Sequence, residues 1–341
     1  MHVLVTGGTG FVGSHLIEAL RAAGDDVRAL VRPGGDRALI ERLGAEPFDG
    51  DLDAPAGMVD ACRDCDVVYH AAARVDIDGD YADFHRTTVN GTFALARAAV
   101  AAGVRRFVYV GSCGVYHPRL LREGVIHEET PTLQPPKWFK YGRAKLAAEE
   151  AVRRTIGPRG EWCVIRLGYL YGPRNRAMRR YLYPLLAGGK MKYVGRGDNE
   201  MAMIHVRDAV SAIVAAGRVP AAAGRTLIAV GDERVTQRDY FSGLAAGLGL
   251  PPIRRHLPYR LAYLMAWGAE WLPFKLHGGA FQRAGIVLTG LPQRIDCRRT
   301  QAMLNWRPTH RFADGIREAC EWYLREYPEH APVVEPAART A

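Results

Sequence analysis

Short apolar runs recur through the first half of the chain, separated by stretches whose apolar positions fall three and four residues apart. The runs Val3–Thr6, Asp26–Val31, Val67–Ala71 and Phe107–Gly111 read as strands. Gly13–Ala23, Met58–Cys62, Val89–Ala102 and Tyr141–Thr155 read as helices between and after them. Strands alternating with helices predict βαβ units around a parallel sheet. Val164–Leu167 and Thr226–Val230 are expected as later strands of that sheet. From about residue 172 the alternation loosens, and Pro, Gly and aromatic residues interleave. The pattern predicts the α/β class, with a doubly wound parallel sheet built from 1–171 plus 201–235. A smaller C-terminal substrate lobe is expected from 172–200 plus 236–326, and a flexible tail from 327–341.

Length and composition narrow this picture. A chain of 341 residues, 48% of them hydrophobic, has ample material for a core and buries roughly 75% of its unfolded surface. Lys and Arg number 46 against 36 Asp and Glu, a formal charge of +10. These cations are spread along the sequence with no block of five or six like charges. That favours a solvated basic surface drawing in anionic small molecules over a nucleic-acid patch. Six cysteines do not make a disulfide framework. The lone pair Cys62 and Cys65 lacks the second pair that a zinc site needs, so no metal is expected and the thiols are read as free. A strand that begins at residue 2 leaves no leader ahead of it, which gives a cytoplasmic reading. The apolar stretch Pro258–Leu276 is interrupted by Arg260, Glu270 and Lys275, so no integral membrane segment is expected.

The chemistry starts at the N-terminus. Gly7, Gly10 and Gly13 follow a strand and open a helix, together with Thr6, Phe11 and Val12. In that setting missing side chains let backbone amides and a helix N-terminus approach a pyrophosphate, so a dinucleotide is the expected cofactor. An NAD site carries an acid at the end of the second strand; here the chain has Val31-Arg32, with Arg37 soon after. A guanidinium grips a 2′-phosphate through paired hydrogen bonds, so NADP(H) is preferred, with NAD(H) the second choice. Asp51 and Leu52 are placed to meet the adenine, and Ala71, Ala72 and Ala73 to lie beside the phosphates.

Downstream stand Ser112, Tyr141 and Lys145. Tyr141 and Lys145 are four residues apart and share one helix face. A phenol has an ordinary pKa near 10 and is a poor base at neutral pH. A neighbouring ammonium favours the phenolate, and a shift of about 3 units corresponds to roughly 4 kcal/mol. Tyr141 then exchanges a proton with an alcohol or ketone oxygen, Ser112 donates a hydrogen bond to that oxygen, and Lys145 also holds the nicotinamide ribose.

At these residues the chain resembles the extended short-chain dehydrogenase/reductases. The resemblance runs from Thr6-Gly-Gly-Thr-Gly-Phe-Val-Gly13 to about Tyr323 and includes Val89-Asn90-Gly91-Thr92, Gly111-Ser112-Cys-Gly-Val-Tyr116 and Tyr141-Gly-Arg-Ala-Lys145 with Glu149. It also includes Arg166, Tyr171-Gly-Pro173 and His205-Val-Arg-Asp208. It implies a Rossmann-type domain with a substrate lobe, Asn90 near the nicotinamide, and a homodimer formed through Thr92–Ala102 and Gly142–Thr155. Leu167 is expected as a further cofactor contact.

The branch is read from two places. Sugar-nucleotide enzymes of this family place an arginine on the substrate diphosphate where this chain has Met201, so such substrates lose an anchor unless Arg174, Arg176 or Arg196 replaces it. Pro258–Pro273 and Asp296–Pro308 are similar to the 3β-hydroxysteroid and sterol dehydrogenases, and Val31-Arg32-Pro33 to dihydroflavonol reductases. Leu261, Leu264, Met265, Trp267 and Trp271 would then roof an apolar substrate, rest on a membrane surface in a peripheral contact, or pack as an ordinary helix. The reading is an NADP-dependent oxidoreductase interconverting a secondary alcohol and ketone on a steroid-, flavonoid- or lipid-like small molecule. A nucleotide-sugar epimerase or dehydratase is the alternative enzyme, and a non-catalytic NADP-sensing regulator is the alternative of another class.

Overall fold

Along the first strand Val3 and Val5 face one way and Leu4 the other, and each side meets its own core. A parallel sheet covered on both faces demands that two-sided burial. The computed structural model describes residues 1–75, 79–271 and 282–331. In it β1 (His2–Thr6), β2 (Asp26–Val31), β3 (Glu46–Asp49), β4 (Val67–His70), β5 (Arg106–Ser112), β6 (Glu161–Leu167) and β7 (Arg225–Ala229) form one sheet. Their spatial order is β7-β6-β5-β4-β1-β2-β3, with every neighbouring pair parallel. This is the doubly wound, Rossmann-type arrangement that the sequence pattern predicts.

Helix α1 (Phe11–Ala22) and a helix at Val206–Arg218, here α4, cover one face through Leu16, Ile17, Leu20, Ala209, Ile213 and Ala216. Helices α2 (Gly91–Ala101) and α3 (Lys140–Ile156) cover the other through Leu95, Ala99, Ala148 and Val152. Each such fully buried aliphatic side chain contributes about 1.5–3 kcal/mol relative to exposure. The run expected as one helix from Val89 is divided: a π-helical turn, His85–Asn90, leads into α2 and carries Asn90 at its end. The strand order reverses between β1 and β4, so their C-terminal ends open the crevice where such sheets bind ligands.

The second lobe is held by side chains more than by strands. Tyr171, Met178, Leu182, Tyr193, Tyr240, Phe241 and Tyr323 form its core. Its pairings are short, such as Glu200–Met201 antiparallel to Val235–Thr236. Helix α5 (Tyr259–Ala269) lies on α6 (Arg283–Gly290), with Ala262 and Ala266 buried between them. Within the segment expected as a tail, Pro328–His330 form a turn, and the His330 ring stacks on Tyr183 at 4.1 Å. Residues 332–341 lie outside the described residues. No helix among the described residues is long and apolar enough to cross a membrane. All six cysteines are buried free thiols, and burial pushes the Cys62 thiol up to about 12.

Candidate active site

Strand β1 ends at Thr6, and the chain turns at Gly7 with φ of +73°, a conformation suited to glycine. A Cβ at Gly7 would sit 2.8 Å from the Ala72 amide nitrogen, and one at Gly13 only 2.0 Å from the Gly7 carbonyl oxygen. The turn therefore rests on the backbone of Ala71 and Ala72, and α1 starts four residues after it. Gly10 occupies the N-cap of α1 and no side chain caps it. The amides of Phe11 and Val12 thus begin a helix with no protein acceptor among the described residues, where the helix dipole favours an anion. A dinucleotide pyrophosphate fits that position.

Behind the turn runs a buried chain of hydrogen bonds. Thr6 Oγ1 lies 2.6 Å from His70 Nδ1, and His70 Nε2 lies 2.8 Å from Thr92 Oγ1. The Ala72 amide donates to Thr6 Oγ1 at 3.3 Å, and Thr92 donates to the Thr88 carbonyl. His70 is fully buried, and burial lowers its pKa to about 3, so the imidazole is neutral. It ties the glycine turn to the helix that follows Asn90. The sequence marks His70-Ala-Ala-Ala73 as a small-residue strand end beside the phosphates, but it gives the imidazole no role of its own.

The remaining cofactor candidates line the same edge. Leu52 is buried where a Cβ on Gly91 would touch it at 2.7 Å, and Asp51 accepts the Asp53 amide at 3.0 Å. Asn90 is exposed at the end of the π turn. Leu167 pairs in register with Ser112 at the ends of β6 and β5. Arg32 is exposed just past β2, whereas Arg37 is paired with Asp49. Of the two arginines, Arg32 is the one without an ionic partner among the described residues.

Ser112 and Tyr141 are drawn together by two glycines. A Cβ at Gly142 would meet the Gly114 carbonyl oxygen at 2.5 Å, so the turn after β5 rests on the start of α3. A Cβ at Gly114 would lie 3.2 Å from Ser112 Oγ and 3.6 Å from Tyr141 Cε1. Ser112 Oγ accepts the Gly114 amide at 3.0 Å. Its own hydrogen faces the Tyr141 oxygen, and a substrate oxygen entering between the two would take that hydrogen bond over.

Lys145 differs from expectation. Its Nζ donates to the Val110 carbonyl at 2.6 Å and sits 4.2 Å from the centre of the Tyr109 ring. Burial pushes the Tyr141 hydroxyl above its ordinary pKa, with a hydrogen bond from Ser112 opposing the rise. The ammonium does not pull the phenol down as the four-residue spacing suggested, because it is turned toward the β5 backbone. Burial also lowers Lys145 to about 7, with Glu149 opposing. The site as built holds a protonated phenol beside a lysine that titrates near neutrality.

Glu149 continues the same helix face. Its carboxylate receives Arg166 Nη2 at 2.6 Å and Nε at 3.1 Å, and Arg166 Nη1 donates to Tyr116 Oη at 3.0 Å. All three side chains are buried. The pair clasps α3 onto β6, and Gly111 passes between the partners, where a Cβ would be 3.1 Å from Glu149.

On the lobe side, Met201 is 1% exposed and belongs to the lobe core. Arg174 pairs with Glu18 of α1, and Arg196 with Asp198 at 3.1 Å. Arg176 donates to the Thr9 carbonyl of the glycine turn at 2.8 Å.

The model of the NAD dependent epimerase/dehydratase family matches residues 3–231. Among curated relatives, a 4-hydroxy-2-methyl-3-oxo-4-farnesyl-3,4-dihydroquinoline-1-oxide ketoreductase of Stigmatella aurantiaca is 29% identical over 281 residues, covering 80% of each chain. A 3-diazoavenalumate denitrifying reductase of a Streptomyces species is 32% identical over 333 residues, covering 93% of this chain and 99% of the relative. Among solved structures, gox2253 superposes with a TM-score of 0.79 at 26% identity, over 95% of this chain and 98% of that one. MoeE5 in complex with UDP-glucose and NAD gives 0.72 at 25% identity, over 96% and 99%.

Proposed function

Because the chain belongs to the NAD dependent epimerase/dehydratase family and is an NAD(P)-dependent enzyme of the extended short-chain dehydrogenase/reductase type, we propose that it reduces an apolar ketone with NADP(H). The observation that carries this reading is the Tyr141 phenol, kept protonated by burial beside Ser112 at the end of β5. A hydroxyl that keeps its proton is a general acid, which suits reduction better than oxidation.

Thr6, the glycine turn, Ala71–Ala73 and Arg32 would hold the dinucleotide, with the Phe11 and Val12 amides on its pyrophosphate. The bound nicotinamide supplies the hydride. Ser112 donates a hydrogen bond to the ketone oxygen and orients it. Tyr141 passes its proton to that oxygen, and the Lys145 ammonium, held at the Val110 carbonyl, would hold the nicotinamide ribose.

Two features support an apolar substrate. Met201 is packed in the lobe core, so it offers nothing to a sugar diphosphate. The Stigmatella relative is named for a farnesylated ketone. The test follows nicotinamide absorbance with steroid, flavonoid and long-chain ketones under each cofactor, alongside UDP-glucose. Turnover of an apolar ketone with NADPH is expected. Conversion of the nucleotide sugar without net change in nicotinamide would replace the reading with an epimerase, and tight NADPH binding with no turnover would replace it with a cofactor-sensing regulator.

Cofactor choice has its own test. Replacing Val31 with Asp and Arg32 with Ala gives the ribose 2′-hydroxyl an acceptor and removes the 2′-phosphate's guanidinium. The ratio of kcat/KM for NADPH over NADH is expected to fall by about 100-fold, which two charge-assisted hydrogen bonds would account for. An unchanged ratio would refute the assignment of Arg32.

The pH profile follows from Lys145. A lysine held at about 7 is charged below that value and neutral above it. The kcat/KM for reduction is therefore expected to be level on the acid side and to fall as pH rises through about 7. Tyr141, pushed upward, keeps its proton throughout that range. Lys145→Arg, which does not lose its charge, should abolish this descending limb whatever rate remains.

A further inference from the structure

Helix α5 is apolar on the side where a surface helix is ordinarily polar. Ala262 and Ala266 face inward, with Tyr259 and Tyr263 half-buried beside them. On the outward side Leu261, Leu264, Met265, Trp267 and, just past the helix, Trp271 are all exposed, Leu264 by 60% and Trp271 by 78%. These five lie within eleven consecutive positions, and Trp267 and Trp271 touch edge to face at 6.4 Å. A monomer in water rarely shows so continuous an apolar stripe without something to cover it.

The charges around the stripe are of one sign. Arg260 shares the helix face of Leu264 and Trp267, and Arg254 and Arg255 are exposed just upstream. Among the described residues none of these three has an ionic partner. The carboxylate of Glu270 is turned away from the stripe and held by Arg283 at 2.5 Å. Tryptophans flanked by unpaired cations are the composition of a helix that lies in a lipid headgroup layer.

We propose that the outward face of α5 docks this protein on an anionic lipid surface, with the tryptophans and leucines in the acyl boundary and Arg254, Arg255 and Arg260 among the headgroups. A second protein copy would offer the same basic rim and repel it, whereas an anionic bilayer complements both the apolar and the charged parts. The placement also suits the site. Tyr263, on the inner side of α5, meets Trp138 edge-on at 6.2 Å, and Trp138 stacks on Phe139 at 5.8 Å. Phe139 is the N-cap of α3, two residues before Tyr141. The docking face is thus separated from the catalytic helix by a short run of aromatic contacts, and an apolar ketone leaving the bilayer would arrive beside it.

Flotation of the full chain with phosphatidylcholine vesicles, and with vesicles doped with phosphatidylglycerol, tests the proposal without any turnover, so its outcome is separate from that of the reductase reading. The parent is expected to float with the anionic vesicles and to be released by salt. The triple change Leu264→Ser, Trp267→Ser and Trp271→Ser should lower partitioning about tenfold or more, because it removes large apolar side chains from the contact. Arg254→Glu with Arg255→Glu and Arg260→Glu should abolish the preference for anionic lipid. All six positions are exposed, so both variants should keep the parent's circular dichroism and its rate on a short water-soluble ketone. The idea is overturned if the parent stays unbound with both vesicles, if the serine variant floats as well as the parent, or if the stripe instead holds a dimer that the serine variant splits in size-exclusion chromatography.

Discussion

Tyr141→Phe is expected to lower ketone turnover by about 100- to 10,000-fold, the usual contribution of a positioned general acid, while leaving NADPH affinity nearly unchanged. The change removes one oxygen and keeps the ring, so the packing of the turn after β5 against α3 survives. Ser112 still orients the substrate, and Lys145 still reaches the Val110 carbonyl. What is lost is the proton donor, which water cannot replace in a crevice that burial has already made costly for charge. Turnover and KM are read from initial rates, and NADPH affinity from quenching of protein fluorescence. Turnover near the parent's would remove Tyr141 from the chemistry. A parallel loss of affinity and turnover would assign it a structural role instead. Separation of the two quantities is therefore the informative result, more than the size of either.

The strands and helices that carry the site were legible because their signals are local. Val3–Val5 and Val67–Val68 are short apolar runs between polar breaks, and Leu16, Ile17 and Leu20 repeat with helical spacing. Gly7 and Gly13 were legible for a different reason: each stands where a side chain would collide with backbone, so their absence of Cβ is a geometric statement written in composition. The spacing of Tyr141 and Lys145 placed both on one face of α3 but could not say where the lysine chain would end. Its direction is decided by the Val110 carbonyl and the Tyr109 ring, contributed by β5, more than thirty positions earlier. The π turn at His85–Asn90 left no trace in periodicity, since one inserted residue shifts the register without changing residue type.

The second lobe was harder to read because its order is made at long range. Tyr193–Val194 pairs with His256–Leu257, and Met201 with Val235, in ladders too short to impose an alternating pattern. The aromatic helix α5 illustrates the complementary limit. Its sequence suggests a buried element, a roof or a membrane contact equally well, because apolar periodicity reports which residues share a face and not what lies opposite. The exposure of Leu264 and Trp271 excludes the buried element, and the vesicle experiment decides between the other two.

Gly13→Ala is expected to weaken NADPH binding by about 100-fold or more, on the reasoning that displaced amides of the α1 N-terminus forfeit two hydrogen bonds to a charged group. The added Cβ would stand 2.0 Å from the Gly7 carbonyl oxygen, 2.6 Å from its carbon and 2.9 Å from Gly8 Cα. All three are backbone atoms, so no side-chain rotation relieves the clash, and the start of α1 must lift from the turn. Gly10→Ala meets only the Gly7 oxygen at 3.0 Å, a contact that a few tenths of an ångström relieves, and so its effect should be much smaller. Titrating NADPH against parent and both variants gives the order parent, Gly10→Ala, Gly13→Ala, with circular dichroism expected to stay native because the clash is confined to one turn. Parent-like affinity in Gly13→Ala would show that the pyrophosphate does not rest on the first amides of α1, and the cofactor would have to be placed elsewhere on the sheet. Loss of binding equally large in both variants would point to a turn that tolerates no added atom, and the grading by Cβ distance would be wrong.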